Sequence, residues 1–170
     1  NFTTNKEEID IFIEKLKESI TNKTRAIMIC NPSNPTGYLY SEVEVKSLID
    51  LAVENDIFII VDEVYREFIY TEKPHYSVLK SEKASQYAVM IDSVSKRYSL
   101  CGARVGCMIS KNKALMATAL KFAHLRLSPP ALALLASEAA ISAPTSYLEG
   151  VKKEYEKRKD VTIAALKKIQ

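Results

Sequence analysis

Apolar residues recur at Ile9, Phe12, Ile13, Leu16 and Ile20, the spacing of one face of an α-helix. Thr4-x-x-Glu7 ahead of them has the form of a capping box. Ala26 to Cys30, "AIMIC", is an apolar run that reads as a buried strand, ended by the turn-rich "NPSNPTG". Ser41-x-x-Glu44 is a second capping box, and Val45, Leu48, Ile49 and Ala52 line one face of the helix it predicts. Ile57 to Tyr65 begins as an apolar strand and turns polar at Asp62; Tyr87 to Asp92 does the same at Asp92. Val105 to Ser110 predicts a shorter strand. Helices are expected over about 112–126 and 129–143, and a long one from about 146, opened by a third capping box, Ser146-x-x-Glu149, and weakened by Gly150.

Helices alternating with strands that are apolar throughout indicate an α/β fold: a three-layer α/β/α arrangement with a mostly parallel sheet covered on both faces. Right-handed crossovers would join the strands. In such sheets ligands bind beyond the carboxyl ends of the strands. Asn34, Asp62, Tyr65 and Ser93 all follow closely on such ends.

The chain has 170 residues, enough for one domain with a real core, and its 47% hydrophobic and 26% charged residues are ordinary for a globular protein. A net charge of +3 is small, and the basic stretch "KKEYEKRK", Lys152 to Lys159, is interleaved with glutamates. It reads as a solvated helix face, not a nucleic-acid surface. Cys30, Cys101 and Cys107 stand at unrelated spacings with only His75 and His124 beside them in the inventory. Neither a disulfide framework nor a metal site is expected; the thiols read as buried or half-buried groups in a reducing, cytoplasmic setting. The histidines read as surface or packing residues. No apolar run approaches the roughly 20 residues a membrane span needs, and no signal peptide is visible. A first residue of Asn suggests a piece of something larger.

Four short motifs occur in order: Asn34-Pro35-Thr36-Gly37, Asp62-Glu63-Val64-Tyr65, Ser93-Val94-Ser95-Lys96 and Gly102-Ala103-Arg104-Val105-Gly106. Singly, each is explained as well by turn chemistry or a helix start. Together, at these spacings, they closely resemble the pyridoxal-phosphate enzymes of the aspartate aminotransferase family, fold type I. The likeness is strongest from about Arg25 to Ser128. It implies that 1–145 is part of the large cofactor-binding domain and that 146–170 is a long helix leading toward a small domain absent from this chain.

The resemblance assigns roles. Lys96 would hold the pyridoxal 5'-phosphate aldehyde as a covalent imine and, once released, act as the base that moves a proton. Asp62 would face the pyridine nitrogen, and Tyr65 and Asn34 would hydrogen-bond the ring hydroxyl oxygen. Ser93 and Arg104 match phosphate contacts, since a guanidinium meets phosphate through parallel hydrogen bonds. Ser95 is open between a phosphate and a structural role. The resemblance also suggests a cis Asn34–Pro35 bond. Asn31 reads as a turn former, Glu63 as a salt-bridge or helix-start residue, and Tyr38, Tyr40 and Tyr70 as packing or rim groups. Arg126 lies in a stretch, "LRLSPP", that resembles a loop near the family's subunit interface. Three of the four glycines, Gly37, Gly102 and Gly106, fall inside the motifs. For Gly106, strand packing and close approach of a ligand both remain open.

The implied activity is transamination of an amino acid with a 2-oxo acid, aspartate with 2-oxoglutarate, by a homodimer in the parent protein. The family's upstream phosphate loop, its ring-stacking aromatic and its substrate-carboxylate arginine have no counterpart here, so the isolated chain is expected to be inactive. The same cofactor residues would serve a lyase or synthase of this fold, or the ligand-sensing domain of a transcription regulator.

Overall fold

The computed structural model describes residues 6–169. Helix α1 (Lys6–Ser19) leads to strand β1 (Ala26–Cys30), helix α2 (Glu42–Glu54) and strand β2 (Phe58–Asp62). After a long connection with one 3-10 turn come β3 (Ala88–Ser93), the single-turn α3 (Val94–Arg97) and β4 (Gly106–Ile109). Helices α4 (Lys113–Arg126), α5 (Ala131–Ile141) and α6 (Thr145–Leu166) complete the chain. The sheet order is β1-β2-β3-β4. The first two pairings are parallel and the third antiparallel, so the expected α/β fold has a mixed, mostly parallel sheet.

The α2 stripe Val45, Leu48, Ile49 and Ala52 is fully buried against Ile59 and Val61 of β2 and Ala88 and Met90 of β3. Phe12, Ile13, Leu16 and Ile20 pack against the same cluster from α1 and its end. Each such aliphatic side chain contributes about 1.5–3 kcal/mol when fully buried. On the opposite sheet face Met28 is 69% exposed, and no residue of α4 is buried.

Ser41 caps α2 as its sequence predicts: its hydroxyl accepts from Glu44 N, and Glu44 Oε2 accepts from Ser41 N. The capping box expected at Ser146 does not form. Helix α6 already starts at Thr145, with Pro144 as its N-cap residue and no side-chain cap. Proline's fixed φ launches the helix directly behind it, which draws Ser146 into the first turn. Thr4-x-x-Glu7 begins outside the described residues. The thiols are also more open than expected: Cys30 is half-buried, but Cys101 and Cys107 are exposed.

Candidate cofactor site

The parallel strands end at nearly one height, because Cys30 pairs with Asp62 and Asp62 with Ile91. Their outgoing loops therefore face a common space. A cavity of about 520 Å³ lies there, lined by Asn34, Asp62, Tyr65, Ser93, Ser95, Lys96 and Arg104. All the residues singled out for the candidate site meet on its walls. The volume falls within the about 300–1,000 Å³ typical of small-molecule sites.

The Asn-Pro loop is shaped by its own hydrogen bonds. Asn31 N donates to Asp62 O at 2.8 Å, Asn31 Oδ1 accepts from Tyr40 N at 3.1 Å, and Ser33 N donates to Tyr38 O at 2.8 Å. Gly37 supplies the positive φ of +69° that turns the chain back. Both Asn31–Pro32 and Asn34–Pro35 are cis. Asn34 Nδ2 donates to Tyr65 Oη at 3.1 Å. Tyr38 and Tyr40 are packing groups: their rings meet edge to face at 5.0 Å, and Tyr38 Oη bonds Glu44.

Asp62 closes β2, and its Oδ1 accepts from Val64 N at 3.0 Å, which fixes the carboxylate in a local turn. Ser93 closes β3, and its Oγ accepts from Ser95 N at 3.2 Å, capping α3. That single turn carries Lys96, whose Nζ stands 5.6 Å from the Tyr65 ring centroid, within cation–π range. Arg104 takes a left-handed backbone, φ 55° and ψ 37°, and its Nη1 donates to Cys101 O at 2.9 Å. A non-glycine residue there costs about 1–3 kcal/mol, so a side chain is kept where glycine would fit more easily.

Gly106 pairs with Ser93 across β3 and β4. A Cβ there would come within 3.0 Å of Asp92 O and 3.3 Å of Ser93 Cβ. Close strand approach accounts for this glycine.

Sequence reasoning passed over several wall residues: Cys30, Val64, Ile91, Asp92 and Cys101. Burial pushes the Cys30 thiol pKa up, against the pull of a backbone hydrogen bond from Asn34. Reasoning from sequence also misplaced Glu63. It does not start a helix: it is fully buried, and Oε1 accepts from Val78 N at 2.9 Å. Its Oε2 lies 3.8 Å from His75 Nε2, which in turn lies 3.2 Å from Asn31 O. Burial raises the Glu63 pKa and lowers that of His75. Both shifts oppose charge, so the contact is polar packing more than a salt bridge. The signal was present in the strand period: Ile59 and Val61 face the core, and position 63 continues their side.

His75 is a packing residue as expected, and His124 is exposed on α4. Among the described residues no cluster of His, Cys, Asp and Glu is placed to hold a metal ion. No described helix is long and apolar enough to cross a membrane.

Known proteins share this sequence and fold. The chain is 35% identical over 157 residues to the aspartate aminotransferase of Bacillus subtilis (strain 168), covering 92% of this chain and 40% of that protein. It is 31% identical over 167 residues to the aspartate aminotransferase of Bacillus sp. (strain YM-2), covering 98% and 43%. The aromatic aminotransferase of Pyrococcus horikoshii OT3 superposes with a TM-score of 0.83 at 28% identity, over 92% of this chain and 42% of that one. The chain thus spans less than half the length of these relatives. Residues 2–170 match the family model for aminotransferase class I and II, and the chain belongs to that family.

Proposed function

We propose that the whole protein of which this chain forms part transfers an amino group between an amino acid and a 2-oxo acid, with aspartate and 2-oxoglutarate as the pair and pyridoxal 5'-phosphate as cofactor. The observation that carries this reading is convergence. Four motifs far apart in sequence bring an amine, a carboxylate, a guanidinium, two hydroxyls and an amide–phenol pair to one cavity. That donor set fits a phosphorylated aromatic aldehyde with a ring nitrogen and a ring hydroxyl. When bound, the group acts as an electron sink for the substrate carbon.

The residues divide the work. Lys96 Nζ would hold the aldehyde and would carry and return the proton moved during transfer. Asp62 would face the ring nitrogen and favour its protonated form, a charge pair that works only while both members remain. Asn34 Nδ2 and Tyr65 Oη, already hydrogen-bonded to each other, would hold the ring hydroxyl oxygen. Ser93, Ser95 and Arg104 would hold the phosphate, Arg104 through the guanidinium that here donates to the Cys101 carbonyl. The division of the chain into a domain part, 1–145, and a connecting helix, 146–170, belongs to the same reading, as does a homodimeric whole protein.

Because the chain spans 40–43% of the two Bacillus relatives, the 170-residue chain alone is expected to bind the cofactor weakly and turn over little or nothing. The test is chemical. The whole protein is treated with pyridoxal phosphate, reduced with borohydride and mapped by peptide mass. The label is expected on Lys96 and lost in Lys96→Ala. A label carried by Lys111 or Lys113 instead overturns the assignment.

A further inference from the structure

Beside the cavity, four charged side chains that carry no role in the proposed chemistry close on one another. Arg97 Nη2 and Arg66 Nη1 each lie 3.0 Å from Asp92 Oδ2. The same guanidiniums face Glu67 Oε1 through their Nε atoms, at 3.4 Å for Arg97 and 3.7 Å for Arg66. Charge alternates around a closed ring. The remaining Asp92 oxygen, Oδ1, accepts from Ser93 N at 2.8 Å. Asp92 and Arg97 side chains are only 11% exposed and that of Arg66 25%, while Glu67 is 37% exposed, so solvent and salt screen the Asp92 contacts less than the Glu67 ones.

Each member adjoins a residue of the candidate site. Arg66 and Glu67 follow Tyr65, Arg97 follows Lys96, and Asp92 precedes Ser93. Helix α3 has only four residues, too few to hold its own geometry. Lys96 must therefore be aimed by contacts outside that turn. Tyr65, for its part, sits in a turn after β2, where Arg66 N donates to Glu63 O at 3.0 Å. The ring is a direct tie between these two segments.

We propose that Arg66, Glu67, Asp92 and Arg97 form a positioning ring that holds the Lys96 amine against the face of Tyr65. The proposal rests on the reading of Lys96 as the reactive amine, but its geometry can be tested without cofactor. Arg97 is tested first because it directly follows Lys96 and is the nearer guanidinium to Glu67; its planar fork reaches both carboxylates, which a lysine ammonium could not do.

The test reads Lys96 directly. Lysines are reductively methylated with ¹³C-formaldehyde and cyanoborohydride, and the Lys96 signal is assigned by its loss in Lys96→Gln. Ring-current displacement by Tyr65 is calibrated with Tyr65→Leu. Arg97→Gln and Glu67→Gln are expected to move the Lys96 signal toward the Tyr65→Leu position. Arg97→Lys, which can keep one of the two contacts, is expected to move it less. In parallel, the pyridoxal phosphate concentration that half-labels Lys96 is expected to rise about tenfold in Arg97→Gln, equivalent to about 1.4 kcal/mol. Signals unchanged in both Gln variants overturn the ring, as does a wild-type signal already at the Tyr65→Leu position. Should Arg97→Gln fail to fold, Glu67→Gln decides alone, because it disturbs only the two longer contacts. Absence of any Lys96 label in the wild-type whole protein would sink the cofactor reading, while the methyl signal still decides the ring.

Discussion

Glu63→Ala would remove a fully buried carboxyl whose Oε1 accepts the Val78 backbone N–H at 2.9 Å. The magnitude follows from two losses. A buried N–H left without an acceptor costs about 1–3 kcal/mol. The vacated side-chain methylene adds about 0.8 kcal/mol. Glu63→Ala is therefore expected to destabilise the chain by about 2–4 kcal/mol at pH 7. With a urea slope of about 2 kcal/mol per molar, the midpoint falls by about 1–2 M. Glu63→Gln keeps an oxygen facing Val78 N and is expected to cost under about 1 kcal/mol. The two variants also differ in pH response. Burial raises the Glu63 pKa above its ordinary 4.5. Its contribution is then complete below that value and is lost as pH rises through the raised one. Glutamine has no such loss, so the stability of Glu63→Gln relative to wild type should improve from pH 4 to pH 8. Urea unfolding across that range, followed by circular dichroism, measures both effects. An Ala variant within about 1 kcal/mol of wild type, or a Gln variant as costly as Ala, would refute the buried-acceptor account.

Gly106→Ala forces a Cβ to 3.0 Å from Asp92 O, so β3 and β4 must part. A loss of about 1–3 kcal/mol is expected by denaturant titration, with weaker pyridoxal phosphate labelling of Lys96; unchanged stability would contradict the packing. The His75 pKa is lowered by burial first, with Arg66 and Lys80 adding repulsion, against the Asn31 carbonyl and Glu67, which raise it. Its contribution is present above the ordinary 6.5 and is lost as pH falls through the lowered value. His75→Gln should flatten that part of the thermal midpoint's pH profile, and an identical slope in both proteins would exclude His75 as its source.

Local chemistry in the sequence was enough to place most elements. The apolar stripe of α2, its Ser41–Glu44 cap and the two strands that turn polar at Asp62 and Asp92 are properties of neighbouring residues, so spacing alone exposes them. The candidate site was legible for the same reason. In a parallel sheet the loops leaving adjacent strand ends face one space, so motifs at those ends are brought together. What tertiary structure decided concerns partners distant along the chain. The reversed direction of β4 and its approach to Ser93, which explains Gly106, depend on pairing that no local period encodes. Arg66, Glu67 and Arg97 look in sequence like ordinary surface charges; only folding brings them onto Asp92. Glu63 was hidden differently. A carboxylate is costly to bury without a partner, and the sequence could not reveal that the Val78 N–H would supply one.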